Sequence, residues 1–210
     1  MVEHKIKIPN SLELLFSAPL LLYRKLRFGY AFRRIPLTKG KFALVSPSDF
    51  PAISQYNWYA RKSNWTCYAT FCRKINGRTK SFDMHRIIMN PPPGLVIDHI
   101  DGNGLNNCRS NLRIATPAQN SRNTCAKKNG QSKYKGVSPE KRRYCWRATL
   151  TINGKQMHIG QFASEIQAAK AYDKAAKKYH GNFARLNFPP NKSPWQKFIN
   201  RLRQLKTKNS

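Results

Sequence analysis

A chain that carries 39 lysines and arginines against 9 aspartates and glutamates cannot collapse far around its own charge. Its formal net charge of +30 makes a compact state repel itself unless a polyanion neutralises it, and nucleic acid is the polyanion such a balance points to. The excess is not confined to a tail: residues 1–126 hold 19 basic and 6 acidic residues, and residues 127–210 hold 20 and 3. Both halves are expected to touch phosphate. Hydrophobic residues at 40% and aromatics at 11% supply enough apolar surface to fold, so the charge does not imply wholesale disorder. A ribosomal-type structural protein carries similar charge, and composition alone does not separate it from an enzyme or regulator of nucleic acid. A membrane surface is a weaker third partner.

The five cysteines (Cys67, Cys72, Cys108, Cys125, Cys145) are odd in number and contain no C-x-x-C pair. Neither a disulfide framework nor a zinc knuckle is indicated, and reduced thiols in a cytoplasmic, nucleoid-associated protein are expected. The apolar run 12–23 is short, carries Glu13 and is broken by Pro19, which fits neither a signal peptide nor a membrane span.

Five stretches follow one another. Residues 1–34 read as a basic N-terminal arm, either a short helix that clamps a backbone or a mobile tail. Residues 35–126 begin β-rich, with β-branched or aromatic runs at 42–45, 56–60, 66–72 and 79–84, and with Asn76-Gly77 as a two-residue hairpin turn. After Pro91-Pro92-Pro93-Gly94 comes strand 95–100, a polar Gly/Asn loop over 101–110, a second strand at 112–115, and a helix over 118–126 started by Thr116 as N-cap and Pro117. Residues 127–132 read as a linker that lets the two halves fold independently. Residues 133–190 form a second unit: strands at 134–138, 144–152 and 156–162, an Asn153-Gly154 hairpin, and a helix over 164–180 capped by Ser164. Residues 191–210 are a basic tail. The fold class is α+β, and a monomer is expected.

Asp98, His99, Asn111 and Asn120 stand out within the first unit. Cutting a phosphodiester needs a base to deprotonate water and a hard divalent cation to polarise the phosphate. A neutral imidazole suits the first task; a carboxylate with an amide oxygen suits the second. Asp98 and His99 are adjacent on one strand, so regular pleating sends their side chains to opposite faces. Asn120 lies on the following helix, able to turn back toward Asp98, and Asn111 sits where an amide can pin the loop. An isolated Asp-His pair is more often a surface turn.

The wider string decides otherwise. MHRIIM followed by VIDHIDGNGLNNCRSNLRIATPAQNSRN resembles the HNH endonuclease family, in the subgroup of intron and phage homing enzymes, with Asn at the third position. The resemblance implies a ββα-metal fold in which His99 is the general base and Asp98 and Asn120 hold one Mg²⁺ or Mn²⁺ ion. Asn111 would order the loop. Asp101, Gly102, Asn103 and Asn107 match the family's loop and read as turn chemistry rather than ligation. His85 and Arg86 match its upstream HR pair, with His85 either contacting phosphate or packed as a structural histidine. No third histidine supports a zinc-type or two-metal site.

The segment from YKGV through IGQF and AAKAYDKAA to LNFP resembles the AP2 DNA-binding domain, which implies a three-stranded antiparallel sheet in the major groove of double-stranded DNA with a helix behind it. Read from the residues alone, an amphipathic helix needs one sheet face to cover, which leaves Lys135, Arg143, Arg147, Thr149, Thr151 and His158 on the other. Trp146 fits either a sugar-phosphate contact or the sheet-helix core. Ser138 and Thr151 replace arginines of the plant domain, so its target sequence does not transfer. The expected activity is metal-dependent DNA cleavage at a site chosen by the C-terminal unit, with no small-molecule cofactor and no membrane. A non-catalytic DNA-binding regulator that keeps the scaffold is the alternative.

Overall fold

The structure is a computed structural model that describes residues 10–63, 66–126, 130–140 and 144–190, with the side chains of residues 10–16 left undescribed. Residues 1–9, 64–65, 127–129, 141–143 and 191–210 lie outside it, and with them the whole basic tail, half of the expected linker and Arg143.

Helix α1 (Asn10–Phe28) ends at Gly29, whose φ of +85° lets its N–H reach the Lys25 carbonyl at 2.9 Å. Strands β1 (Arg33–Pro36) and β2 (Phe42–Val45) pair antiparallel, and Ala43 and Val45 turn inward with no exposed surface. A short helix α2 (Phe50–Ile53) follows, held by the Trp58 indole donating to the Ile53 carbonyl at 2.8 Å. Strands β3 (Tyr59–Lys62), β4 (Cys67–Ile75) and β5 (Arg78–Asp83) make an antiparallel sheet in that order. The β4–β5 turn has positive φ at both Asn76 and Gly77, as a type I′ hairpin requires.

Helix α3 (Met84–Met89) springs directly from the end of β5, taking Met84 from the expected strand 79–84 and continuing through residues for which the pattern named no element. Met84 and Ile88, four residues apart, bury one face of it in the core, and this tertiary burial outweighs the β-branched local preference. Strand β6 (Val96–His99) then pairs antiparallel with β8 (Leu112–Ala115). Between them the loop contributes a two-residue strand β7 (Asn106–Asn107), which pairs in parallel with β2 and so ties the loop to the N-terminal hairpin. Helix α4 (Pro117–Arg122) begins with a full capping box between Thr116 and Gln119 and stops at Arg122, four residues short of the span the sequence suggests. One core joins these pieces: Ile35, Val45, Ile53, Trp58, Met84, Ile97 and their neighbours.

In the C-terminal part, β9 (Val137–Glu140), β10 (Cys145–Ile152) and β11 (Lys155–Phe162) form an antiparallel sheet in the order β11-β10-β9. Asn153 and Gly154 both take positive φ in the hairpin between β10 and β11. Helix α5 (Glu165–His180), capped by the Ser164 hydroxyl on the Gln167 N–H, covers one face of the sheet with Ala168, Ala169, Tyr172 and Ala176. Gly136 allows the close approach: a Cβ there would stand 2.1 Å from the Tyr172 ring. The molecule is thus mixed α+β, with several small sheets. Among the described residues no helix is long and apolar enough to cross a membrane.

Candidate active site

The β6–β8 hairpin and α4 carry the residues the sequence singles out. Pleating separates Asp98 from His99, and both are buried, at 3% and 6% exposure. Asp98 looks toward α4 and the C-terminal part. His99 looks toward β4 and α3, its ring 5.8 Å from Tyr68 and 5.1 Å, edge-on, from His85.

Asn107 Oδ1 faces His99 Nε2 at 3.2 Å. In that arrangement Nε2 carries the proton and Nδ1 keeps its lone pair. Burial lowers the His99 pKa, against the opposing pull of the Asn107 bond and of Asp101 and Asp98, so the ring is neutral near pH 7 and available as a base. His85 is packed, not exposed: burial first, then the charge of His99, lowers it to about 4, and its Nδ1 has no hydrogen-bond partner among the described residues.

Asn111 sits at the re-entry of the loop into β8. Its Nδ2 donates to Asp101 Oδ1 at 2.9 Å and to the Asn106 carbonyl at 2.8 Å, while its Oδ1 accepts from the Asp101 N–H at 3.1 Å. Asp101 also accepts from the Asn103 N–H and from Asn106 Nδ2. Gly104 presses this loop onto β4, where a Cβ would stand 2.5 Å from the Cys67 carbonyl oxygen. The loop is therefore a rigid frame around Asn107 and His99. Turn chemistry accounts for Asp101 and Asn103, but Asn107 does something the loop pattern did not reveal: it holds the histidine.

Asp98 has two braces. Arg113, its direct partner across β6 and β8, donates from Nε and Nη2 to Oδ2 at 2.7 and 2.5 Å. Asn123, just past α4, donates from Nδ2 to Oδ1 at 2.8 Å and to the His99 carbonyl at 2.8 Å. Asn120 is one turn earlier and half-buried, and its side chain makes no hydrogen bond to another described residue. The amide that touches Asp98 is thus Asn123, three residues beyond the one the sequence names. The sequence reading missed Asn123; the Asn-x-x-Asn spacing, which puts both amides on one side of a helical turn, is a signal that could have found it.

The donor set suits a hard cation. A carboxylate offers about four lone-pair positions, and the two Arg113 bonds and the Asn123 bond use three, leaving one on Oδ1 of Asp98. The Asn120 amide oxygen is likewise uncommitted among the described residues, and a carboxylate and an amide oxygen are the donor types a hard cation such as Mg²⁺ takes. Among the described residues no cluster of three histidine, cysteine or carboxylate side chains could hold a metal.

The second unit presents an open sheet face. Along β10, Ala148 and Leu150 are buried against α5 while Arg147 and Thr151 are exposed. Arg147, Thr149 and His158 meet in one shallow depression together with Gln156 and Gln161. A register shift between Ala148 and Thr149 turns Gln161 to the same side as His158, which strict alternation would not do. Arg147 is ion-paired with Glu140. One open alternative is decided, for Trp146, and one expectation is corrected, for Lys135. Trp146 lies on the helix side, packed against the Val137, Ala148 and Ala169 cluster, because its place in the strand has the parity of Ala148. Lys135 precedes β9 and donates to the Arg122 carbonyl at 2.6 Å, and burial lowers its pKa to about 8, so it is not a free cation on the sheet face.

The two units also touch. Arg113 Nη1 donates to the Asn182 carbonyl at 2.5 Å, its guanidinium carbon lies 4.0 Å from the Phe183 ring centre, and Arg185 donates to the Asp101 carbonyl at 2.9 Å. A free linker between independent halves is therefore not the whole connection.

The class of protein is given by its likeness to known families. Residues 89–122 match the HNH endonuclease family and residues 132–182 match the AP2 domain. An uncharacterized HNH endonuclease of Acanthamoeba polyphaga mimivirus is 36% identical over 155 residues, covering 71% of this chain and 76% of that protein. Protein 3.8 of Escherichia phage T7 is 42% identical over 94 residues, 45% of this chain and 77% of its own length. A dehydration-responsive element-binding protein of Arabidopsis thaliana is 37% identical over 97 residues, 43% of this chain and 27% of that protein. No solved structure is significantly similar. The chain belongs to the HNH endonuclease family and carries an AP2 domain behind its nuclease region.

Proposed function

We propose that this protein is a metal-dependent DNA endonuclease of the homing type, whose β6–β8–α4 unit is a ββα-metal centre and whose AP2 sheet chooses the site. The observation that carries the reading is the pair Asp98 and His99, buried back to back with separate hydrogen-bond partners. His99 Nδ1 takes the proton from the attacking water, and Asn107 keeps the other ring nitrogen protonated. Asp98 and the Asn120 amide would hold one Mg²⁺ or Mn²⁺ ion. When bound, the ion polarises the scissile phosphate and stabilises the leaving oxygen. Asn111 keeps the loop rigid, so the imidazole does not drift from the water it must meet.

Arg147, Thr149, Thr151 and His158 face duplex DNA, with Gln156 beside His158 by alternation and Gln161 added by the register shift. A plasmid-nicking assay tests the reading. Wild-type protein should nick supercoiled DNA with Mg²⁺ and not with chelator, and His99→Ala should fail in both. Cleavage by the His99 variant at the wild-type rate would reject it.

A further inference from the structure

The guanidinium of Arg113 is held on three sides. Nε and Nη2 grip Asp98 Oδ2, Nη1 is seated on the Asn182 carbonyl, and the Phe183 ring lies against it at 4.0 Å. Asn182 and Phe183 belong to the turn that follows α5, so they are part of the C-terminal unit, some seventy residues further along the chain. Two more bonds seal the same junction, from Arg185 to the Asp101 carbonyl and from Lys135 to the Arg122 carbonyl at the end of α4. Phe183 is outside the apolar clusters between α5 and its sheet, while its neighbour Ala184 packs into one of them and anchors the turn.

We infer that Phe183 and the Asn182 carbonyl are positioning elements of the nuclease centre: they fix the Arg113 guanidinium so that Asp98 presents its remaining Oδ1 lone pair, and the DNA-reading unit thereby completes the cleavage site. The inference rests on the reading of Asp98 as a cation ligand. An arginine side chain left unseated regains rotamer freedom, and its planar fork then no longer holds the carboxylate in one orientation. Partners that orient a ligand in this way typically contribute about 10–100-fold in metal affinity or activity. The unit at the C-terminus thus contributes to the chemical step as well as to affinity for DNA.

The test uses the full chain with Phe183→Ala, Phe183→Leu, Phe183→Tyr and Asp98→Asn. Mn²⁺ binding to the protein without DNA is measured by calorimetry, kcat and KM are measured on a short duplex, and duplex affinity is measured in chelator. Phe183→Ala should weaken Mn²⁺ binding roughly 10-fold and lower kcat by a similar factor, with KM and the affinity in chelator within about twofold of wild type. Phe183→Leu, which keeps apolar bulk without a ring, should follow it, and Phe183→Tyr should restore both values. Unchanged Mn²⁺ binding in Phe183→Ala, where Asp98→Asn has lost it, would overturn the inference alone. Tighter Mn²⁺ binding in Phe183→Ala would overturn it too, since Arg113 would then compete with the cation instead of orienting its ligand. An equal loss of duplex affinity in chelator would reduce Phe183 to support for the reader. Mn²⁺ binding that survives Asp98→Asn would overturn the ligand assignment and the inference with it.

Discussion

Asn120 and Asn123 lie three residues apart, and replacing each with alanine should separate the ligand from the brace. Asn123 is 7% exposed and gives one charge-assisted bond to a carboxylate and one to a backbone carbonyl, both at 2.8 Å. A bond to a charged group contributes about 1.5–3 kcal/mol and a neutral one about 1 kcal/mol, so Asn123→Ala should lose roughly 3 kcal/mol. At about 2–4 °C per kcal/mol for a chain of this size, the melting temperature should fall by roughly 6–12 °C. Asn120 has no side-chain bond to another described residue, so Asn120→Ala should stay within about 0.5 kcal/mol of wild type while losing most of its Mg²⁺-dependent cleavage. Thermal unfolding followed by circular dichroism, beside plasmid nicking across a Mg²⁺ titration, reads both quantities. Equal destabilisation by the two substitutions, or full cleavage by Asn120→Ala, would refute the division of roles.

Four further outcomes are expected. His99→Ala should lower the cleavage rate by roughly 10²–10⁴-fold while duplex affinity in chelator stays the same, and a parallel loss of affinity in a binding titration would count against a purely chemical role. Nicking should be supported by Mg²⁺ or Mn²⁺ and stop in excess EDTA, and metal analysis of the purified protein should find no stoichiometric zinc. His85, at about 4 when folded, binds fewer protons than the unfolded chain between that pH and about 6.5; its contribution to stability is therefore complete above 6.5 and lost as pH falls toward 4, and His85→Phe should flatten denaturant midpoints over that window. Arg147→Ala should weaken duplex binding by about 1–3 kcal/mol in fluorescence anisotropy, and an unchanged Kd would remove the open sheet face from the DNA interface.

Local chemistry was legible in the residues because its causes lie within a few positions of each other. Asn76-Gly77 and Asn153-Gly154 specify I′ turns through the backbone angles these residues tolerate, Thr116 and Ser164 cap helices through bonds to N–H groups three residues on, and strand parity puts Asp98 and His99 on opposite faces. The same parity places Arg147 outward, and it also turns Trp146 inward once its relation to Ala148 is applied. What chain order does not encode is which of several identical amides meets which partner. Asn107, Asn111, Asn120 and Asn123 carry one side-chain chemistry, and their roles follow from distances set by the β2–β7 pairing, the β6–β8 register and the end of α4. Helix α3 likewise exists because Met84 and Ile88 find a core assembled from residues far away in sequence. Arg113 faces Asp98 across fifteen residues and Asn182 across sixty-nine, so the link between reader and nuclease was decided only when the two units packed together.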